Sequence, residues 1–377
     1  MMIVRVFIVG LWALASTPAL GQAACDGPAP VCAIKDRVYA IASSDPAASA
    51  VLIEPGLLVT NRHAVANNPR AQVFRPDGSE LLADVVPTAY AGDLVLLSAP
   101  GLTGSGAWKP APEPRPDTDL FTVANDVGRG RIRVYPPGRL LSPPAAGKPL
   151  ARLHHTARSQ PGNSGGALVD AEGRLVAIVT SGGSGRFEAI PATEIARLRA
   201  LSGPDHAEAN RRIGLAYRQC TEAIDQAAAS RQAMRAPHIA FIAERCRTSN
   251  NRQLLDLAGQ TLGRRGHHAD AIAMFEAALD QDPGALNARL GLVVTLHLAQ
   301  RYQDELAHLR RLIAVLPRDL QVLRFAIQAG TWAGDKALAR EGLTLMKTHH
   351  PKLAPLAERF MNAPPPTTPR RSSAPAQ

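Results

Sequence analysis

Aromatic side chains are scarce in this chain, at 4% of residues, and no run of Lys or Arg exceeds two. Binding to nucleic acid calls for clustered basic residues with aromatics interleaved between them. The net charge of +10 is instead spread along the sequence, which reads as solvation with some attraction for acidic substrates or anionic surfaces. Cysteine is rare as well: only Cys25, Cys32, Cys220 and Cys246 are present, and neither local pair has zinc-like spacing. Beyond the N-terminus no apolar run approaches the ~20 residues that span a bilayer, so no stable membrane span is expected after its removal.

What the N-terminus does contain is a positive Arg5, an apolar run from Val6 to Ala15, and the small-residue exit Ser16-Thr17-Pro18-Ala19-Leu20-Gly21-Gln22-Ala23. That pattern predicts a secretory signal over residues 1–23, with cleavage after Gly21 or Ala23. An uncleaved anchor would need a longer apolar stretch. A lipid on Cys25 would need an apolar residue where Gln22 stands. The expected location is therefore periplasmic or secreted. In that oxidising setting the four cysteines form an even set, and the sequential pairing of Cys25 with Cys32 and Cys220 with Cys246 is favoured among three, with free buried thiols as the alternative.

With 46% hydrophobic residues in 377, the chain can bury two cores. From Val38 to Ala200 it shows short apolar runs broken by turn residues: Val38 to Ile41, Ala50 to Ile53, Leu57 to Thr60, Ala71 to Phe74, Leu94 to Ser98, Leu120 to Val123, Arg131 to Tyr135 and Leu175 to Thr180. Pro76-Asp77-Gly78 reads as a hairpin turn. Such spacing predicts all-β barrels or a sandwich.

Three motifs punctuate these strands. Gln160-Pro161-Gly162-Asn163-Ser164-Gly165-Gly166-Ala167-Leu168-Val169 crowds small residues round one serine, so the backbone can turn sharply and aim N–H groups beside the hydroxyl. A serine needs a base and an orienting acid to act as a nucleophile. His63 closes the apolar run Leu57-Leu58-Val59-Thr60, and Asp93 opens Leu94-Val95-Leu96-Leu97.

These motifs, in the order His63, Asp93, Ser164, resemble those of the trypsin-fold serine proteases, most closely the HtrA/Deg-like branch, over about residues 35–200. The resemblance implies a double β-barrel, His63 and Asp93 on the first and Ser164 on the second, with Pro110 to Pro116 as linker. It implies an oxyanion hole from the N–H groups of Gly162 and Ser164. It also implies a primary pocket with Arg158 on its floor and Thr180, Ser181 and Gly182 along one wall. An arginine with water available points outward more cheaply, so small apolar residues are expected before the cut bond, with acidic ones as the alternative. No metal or organic cofactor is required.

After Gly203-Pro204 the sequence turns to Ala, Leu, Arg and Gln with helical periodicity, and Pro283, Pro317 and Pro351 recur every 34 residues. Leu255, Ala258, Gly259, Leu262, Ala271, Phe275 and Ala278, then Leu323, Ala326, Ala339, Leu343 and Met346, resemble the tetratricopeptide repeat. The middle unit keeps Leu292, Leu296, Leu309 and Leu312 but places Arg289 and Glu305 where small or apolar residues are usual. Asn210 to Arg245 reads as a degenerate helix pair. The His154-His155, His267-His268 and His349-His350 pairs have no carboxylate at ligand spacing and carry no metal expectation.

The expected organisation is a signal (1–23), a trypsin-like domain (24–202), a helical TPR-like repeat domain (203–362) and a disordered Pro-rich tail (363–377), the two folded parts separable near Ser202 to His206. The expected function is a serine endopeptidase acting on protein or peptide substrates, with the helices recruiting substrate or a protein partner. A scaffold with a silent protease-like domain is the alternative.

Overall fold

The computed structural model describes residues 25–362, apart from 105–107, 109, 110, 112, 184 and 231. The expected signal and tail lie outside the described residues, as do Pro110 and Pro112 of the expected linker.

The first β unit is a closed barrel of six antiparallel strands in the order β1-β2-β3-β6-β5-β4. Its strands are β1 Val38–Ala42, β2 Ala48–Glu54, β3 Leu57–Thr60, β4 Arg70–Phe74, β5 Glu80–Val86 and β6 Val95–Ser98. The short helix α1 (Ala29–Ala33) precedes it, tied by a Cys25–Cys32 disulfide, and a one-turn helix α2 (Arg62–Val65) follows β3. The β4–β5 hairpin turns at Pro76-Asp77-Gly78, closed by the Arg75 N–H to Ser79 carbonyl bond at 2.8 Å.

The second β unit comprises β7 Phe121–Asp126, β8 Arg131–Val134, β9 Leu140–Ser142, β10 Leu153–His155, β11 Ala167–Val169, β12 Leu175–Gly183 and β13 Arg186–Pro191. They form one sheet in the order β8-β7-β11-β12-β13-β10-β9, and a Leu120–Gly138 bridge ties the start of β7 to the segment entering β9. β2 explains how the two units join. Six of its seven residues are buried, where a surface strand would alternate. Ala48, Ala50 and Leu52 fill the barrel, while Val51 and Ile53 pack with Phe121, Val123, Ala167 and Val169 of the second sheet. Burial of each large aliphatic side chain there contributes roughly 1.5–3 kcal/mol.

From α3 (Glu194–Ala200) onward the chain is helical. α4 Ala207–Ala229 and α5 Ala236–Ser249 form an antiparallel pair stapled by the Cys220–Cys246 disulfide. Three further pairs follow: α6 Arg252–Arg264 with α7 His268–Gln281, α8 Leu286–Leu298 with α9 Tyr302–Val315, and α10 Leu320–Trp332 with α11 Lys336–His349; α12 (Ala354–Met361) closes the array. Pro283, Pro317 and Pro351 each stand just past the second helix of a pair, where a ring that cannot continue a helix is tolerated. Asn251, Asp319 and Asp335 cap α6, α10 and α11 with side-chain oxygens.

The two irregular positions of the middle repeat are both buried and both partnered. Arg289 bonds His308 Nδ1 at 3.0 Å and the Pro283 carbonyl. Glu305 meets His297 Nδ1 at 3.1 Å. A buried polar group is tolerated when it is hydrogen-bonded, which is why the repeat survives residues its pattern does not favour.

Candidate active site

The barrel presents His63 from α2, immediately after β3, and Asp93 just before β6. β3 and β6 are hydrogen-bonded neighbours, with Thr60 opposite Val95, so the two side chains emerge side by side. His63 Nδ1 lies 2.8 Å from Asp93 Oδ2, and the His63 backbone N–H donates to Asp93 Oδ1 at 3.0 Å. Asp93 is almost fully buried. Burial pushes its carboxyl up, but the His63 imidazole and its hydrogen bonds, together with the Arg152 guanidinium, hold it below the ordinary carboxylate range. An ionised acid against Nδ1 fixes the ring so that Nε2 is left for a substrate-side partner.

Ser164 comes from the second sheet, on the turn before β11. Three devices join it to the first barrel. The Ser49 N–H on β2 donates to the Ser164 carbonyl at 2.7 Å, and Ser49 Oγ donates to the Gly162 carbonyl at 2.8 Å while accepting the Asn125 N–H at 2.9 Å. Gly165 has φ +84°, and a Cβ there would stand 2.0 Å from the Ser49 carbonyl oxygen and 2.3 Å from Thr60 Oγ1, so only glycine permits this approach of the two units. Thr180 completes the link: its Oγ1 donates to Asp93 Oδ2 at 3.0 Å, and its carbonyl accepts the Ser164 hydroxyl at 2.9 Å. Among the described residues the Ser164 hydroxyl therefore bonds Thr180, and no Ser164–His63 hydrogen bond is formed.

Asn163 shapes the turn from inside. Its Nδ2 donates to the Asn125 carbonyl at 2.9 Å and the Tyr135 hydroxyl at 3.1 Å, and its Oδ1 accepts the Gln160 N–H at 2.8 Å. The N–H groups of Asn163, Gly165 and Gly166 are all engaged, to Gln160, Val179 and Asn163 carbonyls respectively. Those of Gly162 and Ser164 have no partner among the described residues. Two uncommitted backbone donors beside a serine hydroxyl form an arrangement able to hold an oxyanion.

The residues expected to line the primary pocket divide. Thr180 lies on β12 with its carbonyl on the Ser164 hydroxyl, and further along the same strand Ser181 and Gly182 sit opposite Glu188 and Phe187 of β13 in the register. Arg158 is exposed and does not form a buried floor. Beyond Gly182 and Gly183 a cleft of about 530 Å³ opens between β12–β13 and the helical half, with Arg252, Gln253, Asn287 and Leu290 on its far wall. No group of three or more His, Cys, Asp or Glu among the described residues is placed to hold a metal ion, and no helix there is long and apolar enough to cross a membrane.

Residues outside the three motifs also converge here. Arg152, immediately before β10, places Nη2 3.7 Å from Asp93 Oδ2 and Nη1 3.0 Å from Glu188 Oε2. Glu188 also pairs with Arg252 of α6, and Asp282, just past α7, meets His154 Nε2 at 3.2 Å. Sequence reasoning assigned none of these a role. Their charges lie far apart in the chain, and no local pattern marks them as one group.

Two barrel-like β units with a His, Asp and Ser gathered at their junction define a trypsin-like fold, here followed by a tetratricopeptide-like helical array. Comparison with known proteins agrees: residues 48–178 match the trypsin-like peptidase domain and residues 264–341 the tetratricopeptide repeat. An uncharacterized protein of Sinorhizobium fredii is 30% identical over 132 residues, which cover 33% of this chain and 20% of that protein. The chain thus spans about a fifth of the length of the curated relative it matches. Among solved structures, the inactive form of the Rv3671c protease from M. tuberculosis H37Rv is 22% identical, covering 47% of this chain and 98% of that one, with a TM-score of 0.40. The HtrA-type protease AlgW with tripeptide is 27% identical, covering 45% of this chain and 61% of that one, also with a TM-score of 0.40.

Proposed function

We propose that this protein is a serine endopeptidase, exported to the periplasm or beyond, whose helical repeats engage substrate proteins or a protein partner. The observation that carries the reading is the meeting of His63, Asp93 and Ser164 at the junction of the two β units, with the Gly162 and Ser164 N–H groups left uncommitted beside the hydroxyl. In the mechanism, the Ser164 hydroxyl leaves the Thr180 carbonyl and gives its proton to His63 Nε2 as it attacks a peptide carbonyl. Asp93 stabilises the imidazolium, the two N–H groups hold the developing oxyanion, and water later hydrolyses the acyl-enzyme. Apo active sites often hold such hydrogen bonds elsewhere until substrate arrives. The two disulfides are consistent with an oxidising compartment outside the cytoplasm.

Digestion of casein by purified protein tests the reading. Ser164→Ala and His63→Ala should each abolish it while circular dichroism stays unchanged, since loss of nucleophile or base typically costs several powers of ten. Asp93→Asn should be severely impaired. Cleavage by Ser164→Ala at the wild-type rate, or an inert wild-type protein that a fluorophosphonate fails to label, would favour the scaffold reading in its place.

A further inference from the structure

The back of Asp93 faces the helical half. Asn250, Arg252 and Gln281, all from the helices or their connections, line one small cavity of about 10 Å³ together with Asp93, Tyr90 and Arg152. Asn250 Nδ2 donates to the Ala91 carbonyl at 3.1 Å, and Gln281 Nε2 donates to Asn250 Oδ1 at 2.8 Å. Arg152 is gripped at both ends. Its backbone N–H donates to Asp282 Oδ2 at 3.2 Å, and its guanidinium is shared between Asp93 and Glu188. Arg252, 3% exposed, pairs with the same Glu188 and stands 3.9 Å from Asp282. Three carboxylates (Asp93, Glu188 and Asp282) thus share two guanidinium groups in a region none of whose members exceeds 4% side-chain exposure.

The base is clasped from the same side. Arg62, the residue before His63, is 1% exposed and donates from NH1 to Asn210 Oδ1 of α4 at 2.9 Å. Gly214 of α4 lies so close to the end of α2 that a Cβ would stand 2.6 Å from the Ala66 carbonyl oxygen.

We propose that the helical half is a positioning element for the triad: Arg252 and Asp282, acting through Glu188 and Arg152, hold Asp93 in register with His63. This rests on the endopeptidase reading for its kinetic consequence but not for its geometry. Removing Arg252 takes from Glu188 one of its two guanidinium partners and shifts its charge toward Arg152. The guanidinium is then pulled from Asp93, and in a site this dry nothing mobile replaces it. The same contacts argue against a peptidase half that stands alone after Leu201, since truncation there would remove Arg252 from Glu188 and Asp282 from His154 and the Arg152 N–H.

The test uses full-length Arg252→Met, Asp282→Asn and Arg252→Lys, with Lys347→Met, which removes an exposed pair with Glu358 on α12, as control. One readout is the rate constant for fluorophosphonate labelling of Ser164, kept separate from the fraction labelled. The other is the far-downfield proton resonance of His63 Nδ1–H against Asp93. A misplaced group typically costs on the order of 10²-fold, so Arg252→Met and Asp282→Asn should label roughly 10- to 100-fold more slowly at full final labelling, with the resonance shifted or lost. Arg252→Lys, which keeps the charge, should recover most of the rate, and Lys347→Met should match wild type. A folded Arg252→Met that labels at the wild-type rate with the resonance unmoved overturns the proposal. Should that variant not fold, Asp282→Asn, which removes charge without changing shape, decides the same question by the same two readouts. A wild-type protein that does not label would sink the endopeptidase reading alone, and the resonance would still decide the coupling.

Discussion

Asn163→Ala tests whether the nucleophile turn is held from within. The side chain is 1% exposed and makes three hydrogen bonds, to the Asn125 carbonyl, the Tyr135 hydroxyl and the Gln160 N–H. At about 1 kcal/mol each, their loss amounts to about 3 kcal/mol, and the buried Asn125 carbonyl loses a donor as well. The functional cost follows from the same contacts, because the Gln160 bond fixes the turn that leads into Gly162. Removing an oxyanion donor outright costs ~10²–10³ in rate, so a loosened one should cost on the order of 10- to 100-fold in kcat with little change in KM. Asn163→Asp separates the two ends of the side chain. It keeps an acceptor for Gln160 but sets a carboxylate oxygen against the Asn125 carbonyl, so it should be the less stable variant. Urea unfolding followed by circular dichroism, alongside turnover of a fluorogenic peptide, measures both effects. Wild-type midpoint and wild-type kcat in Asn163→Ala would refute the argument.

Burial pushes the His155 imidazole from 6.5 down to about 3, so below pH 6.5 the unfolded chain takes up a proton that the folded chain refuses. Stability should then fall as pH drops, by on the order of 1.4 kcal/mol per unit once below the unfolded pKa. Between pH 6.5 and 5, above the range where the carboxylates titrate, the urea midpoint of His155→Leu should decline less steeply than that of wild type; parallel declines would show that the ring is solvated. Cleavage-site profiling on a denatured proteome should return small apolar residues, Ala and Val, before the cut bond, with the profile unchanged in Arg158→Ala because Arg158 is exposed. A majority of cuts after Glu or Asp that Arg158→Ala abolishes would reverse this.

Local signals carried much of the architecture. The small-residue turn around Ser164, the strands ending at His63 and beginning at Asp93, the Pro76-Asp77-Gly78 hairpin and the 34-residue period each depend on neighbours in sequence, so a single chain displays them. Among the strands missing from the apolar runs, which also include β5 and β13, β9 and β10 are three residues long, too short for an alternation to register. His154 reads as a polar strand residue without a ligand beside it; its partner Asp282 lies on the far side of the repeat boundary. Arg252 looks like an ordinary first-turn residue of a surface helix, yet it is buried because α6 packs its N-terminus against β13. Ser49 sits in an apolar strand whose second face is covered by another sheet, a fact that only the packing of two units reveals. Long-range charge pairing and shared strand faces leave no periodic trace.

The two disulfides join cysteines 7 and 26 residues apart, each to its nearest neighbour in the chain. A polypeptide threaded through an export channel from its N-terminus would therefore present its thiols in the order in which they are to be joined. An oxidase that links cysteines as they emerge would reach the native pattern without reshuffling. With export as proposed, maturation should depend on a dithiol oxidant and be indifferent to a disulfide isomerase.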